Sequence, residues 1–104
     1  IGYASDLGTV TPDLLSLFQN VQILALEFNH DVQMQKQSGR PWHLIRRVLS
    51  DQGHLSNVQG AKAVETIVGS SRPHSIKYVV PLHISRDCNR ERLAIEEARK
   101  ALNI

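Results

Sequence analysis

A single cysteine, Cys88, stands among 104 residues. One thiol cannot close an intrachain disulfide, so a disulfide scaffold is excluded, and the lone thiol fits a reducing, cytoplasmic setting. No stretch approaches the ~18 consecutive apolar residues that a membrane span needs. An excess of either charge is also missing: 12 Lys+Arg against 10 Asp+Glu leave a net charge of +2. That is too little to indicate a nucleic-acid partner by itself. No Met and no basic segment precede Ile1-Gly2-Tyr3, so there is no signal peptide to read. The opening is already apolar and strand-like, which suggests either a trimmed chain or the C-terminal piece of a longer protein. Repeats and low-complexity tracts are absent. What is present, 41% apolar and 21% charged residues in regular spacing, suffices for one small folded domain and not two.

Short β-like runs alternate with helix-like runs, the pattern of an α/β architecture. Residues 1–5 read as the end of a strand. Thr11-Pro12-Asp13 makes a helix start, with an N-cap hydroxyl, a proline in the first turn and a carboxylate near the positive end of the dipole. Val21–Phe28 is eight residues long and mostly apolar, which suits a strand buried on both faces of a parallel sheet. Asp31 can cap a helix to about Gln37. Trp42, Ile45, Val48 and Leu49 mark the apolar stripe of a helix that starts at Pro41. Ser56 with Gln59 forms a capping box, Val58 to Val68 carry a helical stripe, and Gly69 is the expected C-cap. Ile76–Leu82 reads as the last strand, with Pro81 arguing for an edge or a strand end. Asn89 is the expected cap of the final helix, which Leu93, Ile95, Ala98, Ala101 and Leu102 anchor and a Glu96–Lys100 pair supports.

Ligands of open α/β sheets collect beyond the carboxyl ends of the strands. Three such ends here are polar: Asp6 follows the first, Asn29-His30-Asp31 the second and His83 the third, while His54 sits in a loop before a capped helix. A carboxylate with imidazoles suits Zn²⁺ or a similar divalent ion. No closely spaced ligand pair accompanies them. Each residue also has a plain structural role open to it: Asp6 in a turn before Gly8, His30 and Asp31 at a helix cap, His54 on a loop carbonyl, His83 at a strand end. Only their shared placement favours a site.

At these residues the sequence resembles the metallo-β-lactamase-fold hydrolases. The phrases are Gly2-Tyr3-Ala4-Ser5-Asp6-Leu7-Gly8, Leu24-Ala25-Leu26-Glu27-Phe28-Asn29-His30-Asp31, Gly53-His54-Leu55-Ser56-Asn57 and Pro81-Leu82-His83-Ile84-Ser85, in the order of that superfamily's C-terminal half. The nearest likeness is to its bacterial phosphodiesterase and exonuclease-like branch. The resemblance implies that residues 1–104 are a single C-terminal half-domain, half of an αββα sandwich with about three strands and flanking helices. It implies that Asp6 bridges two divalent metal ions, Zn or Mn, in the intact protein, and that His83 is the last ligand. It further implies that His54 assists proton transfer to the leaving group, with His30 an active-site neighbour. Paired ions polarise a phosphoryl or carbonyl oxygen and supply hydroxide near neutral pH, which suits phosphodiester hydrolysis and suits thioester or lactam hydrolysis almost as well.

The family's His-x-His-x-Asp-His motif is absent from this chain. Two ligands of roughly seven remain, so the chain alone should bind metal weakly and be inactive without the missing N-terminal half. A half-sandwich should also bare an apolar sheet face and self-associate. Arg46 and Arg47, beside Arg40, His43 and Trp42, offer either a phosphate-binding surface for a nucleic-acid or phosphodiester substrate, or the solvated face of an amphipathic helix. The competing function is a non-catalytic α/β module that binds protein or nucleic acid.

Overall fold

The apolar run after Val21 sets the architecture. In a computed structural model that describes residues 1–104, Ile23–Glu27 is the central strand of a three-stranded sheet. In chain order the elements are β1 (Gly2–Ala4), α1 (Pro12–Leu17), β2 (Ile23–Glu27), α2 (Val32–Lys36), α3 (Trp42–Leu49), α4 (Asn57–Gly69), β3 (Tyr78–Leu82) and α5 (Glu91–Leu102). β2 pairs in parallel with β1 on one side and β3 on the other. Parallel neighbours require crossovers, and helices supply both. The chain is therefore α/β, three parallel strands with flanking helices, consistent with half of an αββα sandwich.

The register places Gly2, Leu24 and Val79 in one row and Tyr3, Ala25 and Val80 in the next. Side chains alternate between faces. Leu24, Leu26 and Phe28 pack on Ala61, Ala63, Val64 and Ile67 of α4 and on Ala94 and Ala98 of α5, with Leu14, Leu15 and Phe18 closing the edge. The opposite face is bare at its flanks: Tyr3 and Tyr78 are each 66% exposed and Val80 is 41% exposed. That open face is the one expected of half a sandwich.

Several local expectations change. Gly69 is the last residue of α4 and Ser70 caps it. Asn89 does not cap α5; Arg90 is the N-cap residue, without a side-chain bond. Asn89 is buried instead, exchanging amide hydrogen bonds of 2.8 Å with Asn57 and donating to the Phe28 carbonyl at 3.0 Å. It ties the end of β2 to the starts of α4 and α5. Glu96 pairs with Arg92, not Lys100, and Lys100 turns to Glu97. Trp42 lies outside, 60% exposed, and only Ile45 of its stripe is fully buried. The Thr11 cap, the Asp31 cap and the Ser56–Gln59 capping box form as expected.

α4 approaches β2 closely because Gly60 lacks a side chain: a Cβ there would lie 2.7 Å from the Glu27 carbonyl oxygen and 2.9 Å from Phe28 Cδ1. Backbone cannot yield as a flexible side chain can. Gly60→Ala should therefore lower stability by about 1–3 kcal/mol, read as a lower urea midpoint with unchanged slope.

Candidate metal centre

All three strands end at one edge of the sheet, and the chain bends sharply at two of those ends. Asp6 (φ 58°) and His83 (φ 53°) both adopt the left-handed conformation, which bulky residues avoid. The bends bring both side chains over the end of β2, where Glu27 is fully buried. Asp6, Glu27, His54 and His83 each offer one donor atom, and these atoms lie within 4.8 Å of one another.

Glu27 organises the group. Its Oε1 accepts from the Leu7 N–H at 2.7 Å, which pins the loop carrying Asp6. Its Oε2 lies 2.7 Å from His54 Nδ1 and 3.0 Å from His83 Nδ1. A carboxylate can only accept, so each Nδ1 donates to it and each Nε2 is left unengaged by Glu27. Asp6 Oδ1 lies 3.3 Å from His83 Nδ1, and the two rings meet edge to face with centroids 4.9 Å apart. Asn29 steadies the same corner, donating to the His83 carbonyl at 2.8 Å while its own carbonyl accepts from the Ser85 N–H. Gly8 lets the Asp6 loop settle on the Asp51 carbonyl, a place where a Cβ would collide. His54 follows Gly53, and its backbone N–H bonds to the Val48 carbonyl.

The Asp6 carboxylate and the imidazoles are donor types that suit a divalent ion, while the Glu27 oxygens are already engaged by three N–H groups. Adjacent donors of one four-coordinate ion with bonds of ~2.1 Å sit about 3.4 Å apart. A spread to 4.8 Å also accommodates a donor set shared between two ions. Histidines held through Nδ1 by a carboxylate, with Nε2 free, match the way proteins orient imidazole ligands. The residues present therefore fit such ions.

The structure brings Asp6, His54 and His83 together and adds Glu27. The sequence signal for Glu27 was its charge: it is the one ionisable residue in Val21–Phe28, and a buried carboxylate needs donors around it. His30 lies beside this cluster, not within it. It is buried, its backbone bridges to Ser56, and its Nδ1 lies 3.2 Å from Asn29 Oδ1. Burial, and after it the charge of His54, lower the His30 pKa from 6.5 to about 4 against the opposing pull of Asp31. Its Nε2 has no partner. Arg47, with Leu44 and Val48, faces a cavity adjoining Asp6 and His54. At about 100° per residue, Arg46 lies on nearly the opposite side of α3, with Trp42; it is exposed and does not line that cavity.

Comparison with known proteins gives three matches of one kind. The chain is 33% identical over 90 residues to exodeoxyribonuclease WalJ of Streptococcus pneumoniae, in strains D39 and R6 alike, covering 86% of this chain and 32% of that protein. It is 31% identical over 90 residues to exodeoxyribonuclease YycJ of Bacillus anthracis, covering 86% of this chain and 33% of that protein. The chain thus spans about a third of the length of the curated relatives it matches. No family model matches it, and no solved structure does. No helix is long and apolar enough to cross a membrane.

The His30 environment predicts a pH dependence. The unfolded chain takes up this proton near 6.5 and the folded chain near 4. Between those values the unfolded state binds more protons. The stabilisation is complete above about pH 6.5 and is lost as pH falls toward 4, a loss of about 3 kcal/mol. Urea unfolding across that window should show it, and His30→Asn should flatten that component of the profile.

Proposed function

We propose that this chain is the C-terminal half-domain of a metal-dependent phosphodiester hydrolase of the metallo-β-lactamase fold, and that it acts on nucleic acid. The arrangement of Asp6, His54 and His83 around the buried Glu27 carries the reading. The similarity to proteins named exodeoxyribonuclease supports it. Two divalent ions, Zn or Mn, would be held by Asp6 and His83 together with ligands from an N-terminal half outside this chain. When bound, the ions supply Lewis acidity and a nucleophile at neutral pH.

The chain's own residues divide the remaining work. Asp6, with two carboxylate oxygens, can bridge a pair of ions. His83 presents Nε2 because Glu27 holds its Nδ1. His54 is turned the same way, and its Nε2, once it has taken up a proton, can pass that proton to the departing oxygen. Glu27 touches neither substrate nor leaving group. It is a positioning residue that fixes the tautomer and the angle of both rings. His30, buried and uncharged at neutral pH, keeps the neighbouring wall free of added positive charge.

In the intact protein, elemental analysis should find two ions per chain. Asp6→Asn and His83→Ala should each lose metal together with DNA hydrolysis. His54→Ala should keep its metal and lose about 10²–10⁴-fold in kcat. An intact protein without metal, or a His54→Ala variant with full activity, would favour a non-catalytic module.

A further inference from the structure

The cavity beside the metal centre is lined on its far side by cations. It measures about 540 Å³ and opens between the Asp6–His54 edge and α3, within the usual size range of ligand sites. Arg47 enters from α3, and Arg40 enters from the turn before it, where Gly39 takes φ 78°. Arg47 has no carboxylate partner. Arg40 is held at 3.3 Å by Asp87, a highly exposed residue. The apolar lining is limited to Leu44 and Val48, and no Phe, Tyr or Trp side chain faces the space. Gln52 adds an uncharged polar group.

We propose that Arg40 and Arg47 form a subsite for a phosphate next to the one being cleaved. The substrate would then be a polynucleotide strand that continues past the scissile bond, gripped by its backbone without base preference. This rests on the phosphodiesterase reading above. The chemistry follows from the lining. Guanidinium groups match phosphate oxygens in a two-pronged geometry that an ammonium cannot copy. Stacking on bases needs broad aromatic faces, which the Arg40–Arg47 wall lacks, and a single amide, Gln52, is its one uncharged base-edge partner, so the grip falls on the backbone. The cleavage residues sit on one rim, and the two arginines lie in the same cavity, so a bound strand would meet both. Arg46, projecting from the other side of α3, is left out. Asp87 competes with phosphate for Arg40, so its removal should tighten binding.

The test uses the intact protein and compares kcat/KM for a short single-stranded oligodeoxynucleotide with that for bis(p-nitrophenyl) phosphate, which has no neighbouring phosphate. Arg40→Ala combined with Arg47→Ala should lower the ratio of the two about tenfold or more. Binding of the oligonucleotide to metal-stripped protein should lose about 1.4 from its logarithmic salt slope, about 0.7 per lost contact on a single strand. Asp87→Asn should strengthen that binding severalfold. Arg99→Ala, near the C-terminal end of α5 and away from the cavity, should leave slope and ratio unchanged. An unchanged ratio and slope in the double arginine variant would overturn the subsite. So would an Arg99→Ala effect of equal size, which would indicate the general field of the protein. A wild-type protein that hydrolyses neither substrate would defeat the phosphodiesterase reading, and the salt slope would still decide the subsite.

Discussion

One buried carboxylate holds this corner of the molecule together. Glu27 sits at the end of the central strand with no exposed surface, and its two oxygens receive a backbone N–H and two imidazole N–H groups. Desolvating a carboxylate costs several kcal/mol unless donors surround it. The donors here come from three separate segments: the β1–α1 loop, the loop before α4 and the turn after β3. The group that would be the most costly to bury therefore fixes where three loops lie. The tautomers and directions of the two rings follow from the same bonds.

The main elements were legible because local signals and burial agree. The Thr11, Asp31 and Ser56 caps each sit where a side-chain oxygen can accept from an early helical N–H. The Val21–Phe28 run marked the buried strand because a strand covered on both faces of a parallel sheet reads as a near-continuous apolar run. Signals failed where tertiary contacts overrule local chemistry. Asn89 could have capped α5 but reaches across to Asn57 and Phe28, since buried polar groups there needed partners. Trp42 fits a helical stripe by spacing, yet α3 buries Ile45 and leaves the indole outside.

For the candidate site, placement beyond strand ends singled out Asp6 and His83, and the family resemblance gave roles to them and to His54 in its loop. Glu27 was the residue missed, although one charge within an apolar strand was the visible clue. Periodicity on α3 grouped Arg46 with Arg47, and the observed buried face separates them: Arg47 turns to the cavity and Arg46 to solvent. The open side of the sheet, with Tyr3, Tyr78 and Val80, was expected from the family resemblance. Composition alone gave no hint of it, because the exposed residues differ little from those of a core strand.

The register of the three strands has a consequence for how such a centre can change over time. Asp6, Glu27 and His83 are each carried at or just beyond the end of a different strand, and neighbouring strands are about 4.8 Å apart. The distances between these side chains are thus inherited from backbone ladders, not from the helices. Crossover helices can drift in sequence without moving these three, whereas His54, carried between α3 and α4, depends on where those helices lie. A single-residue deletion inside β2 would turn Glu27 toward the helical core and scatter the group it gathers. Evolutionary freedom in this domain accordingly belongs to the helix surfaces away from Gly60 and His54, and the strands are its frozen part.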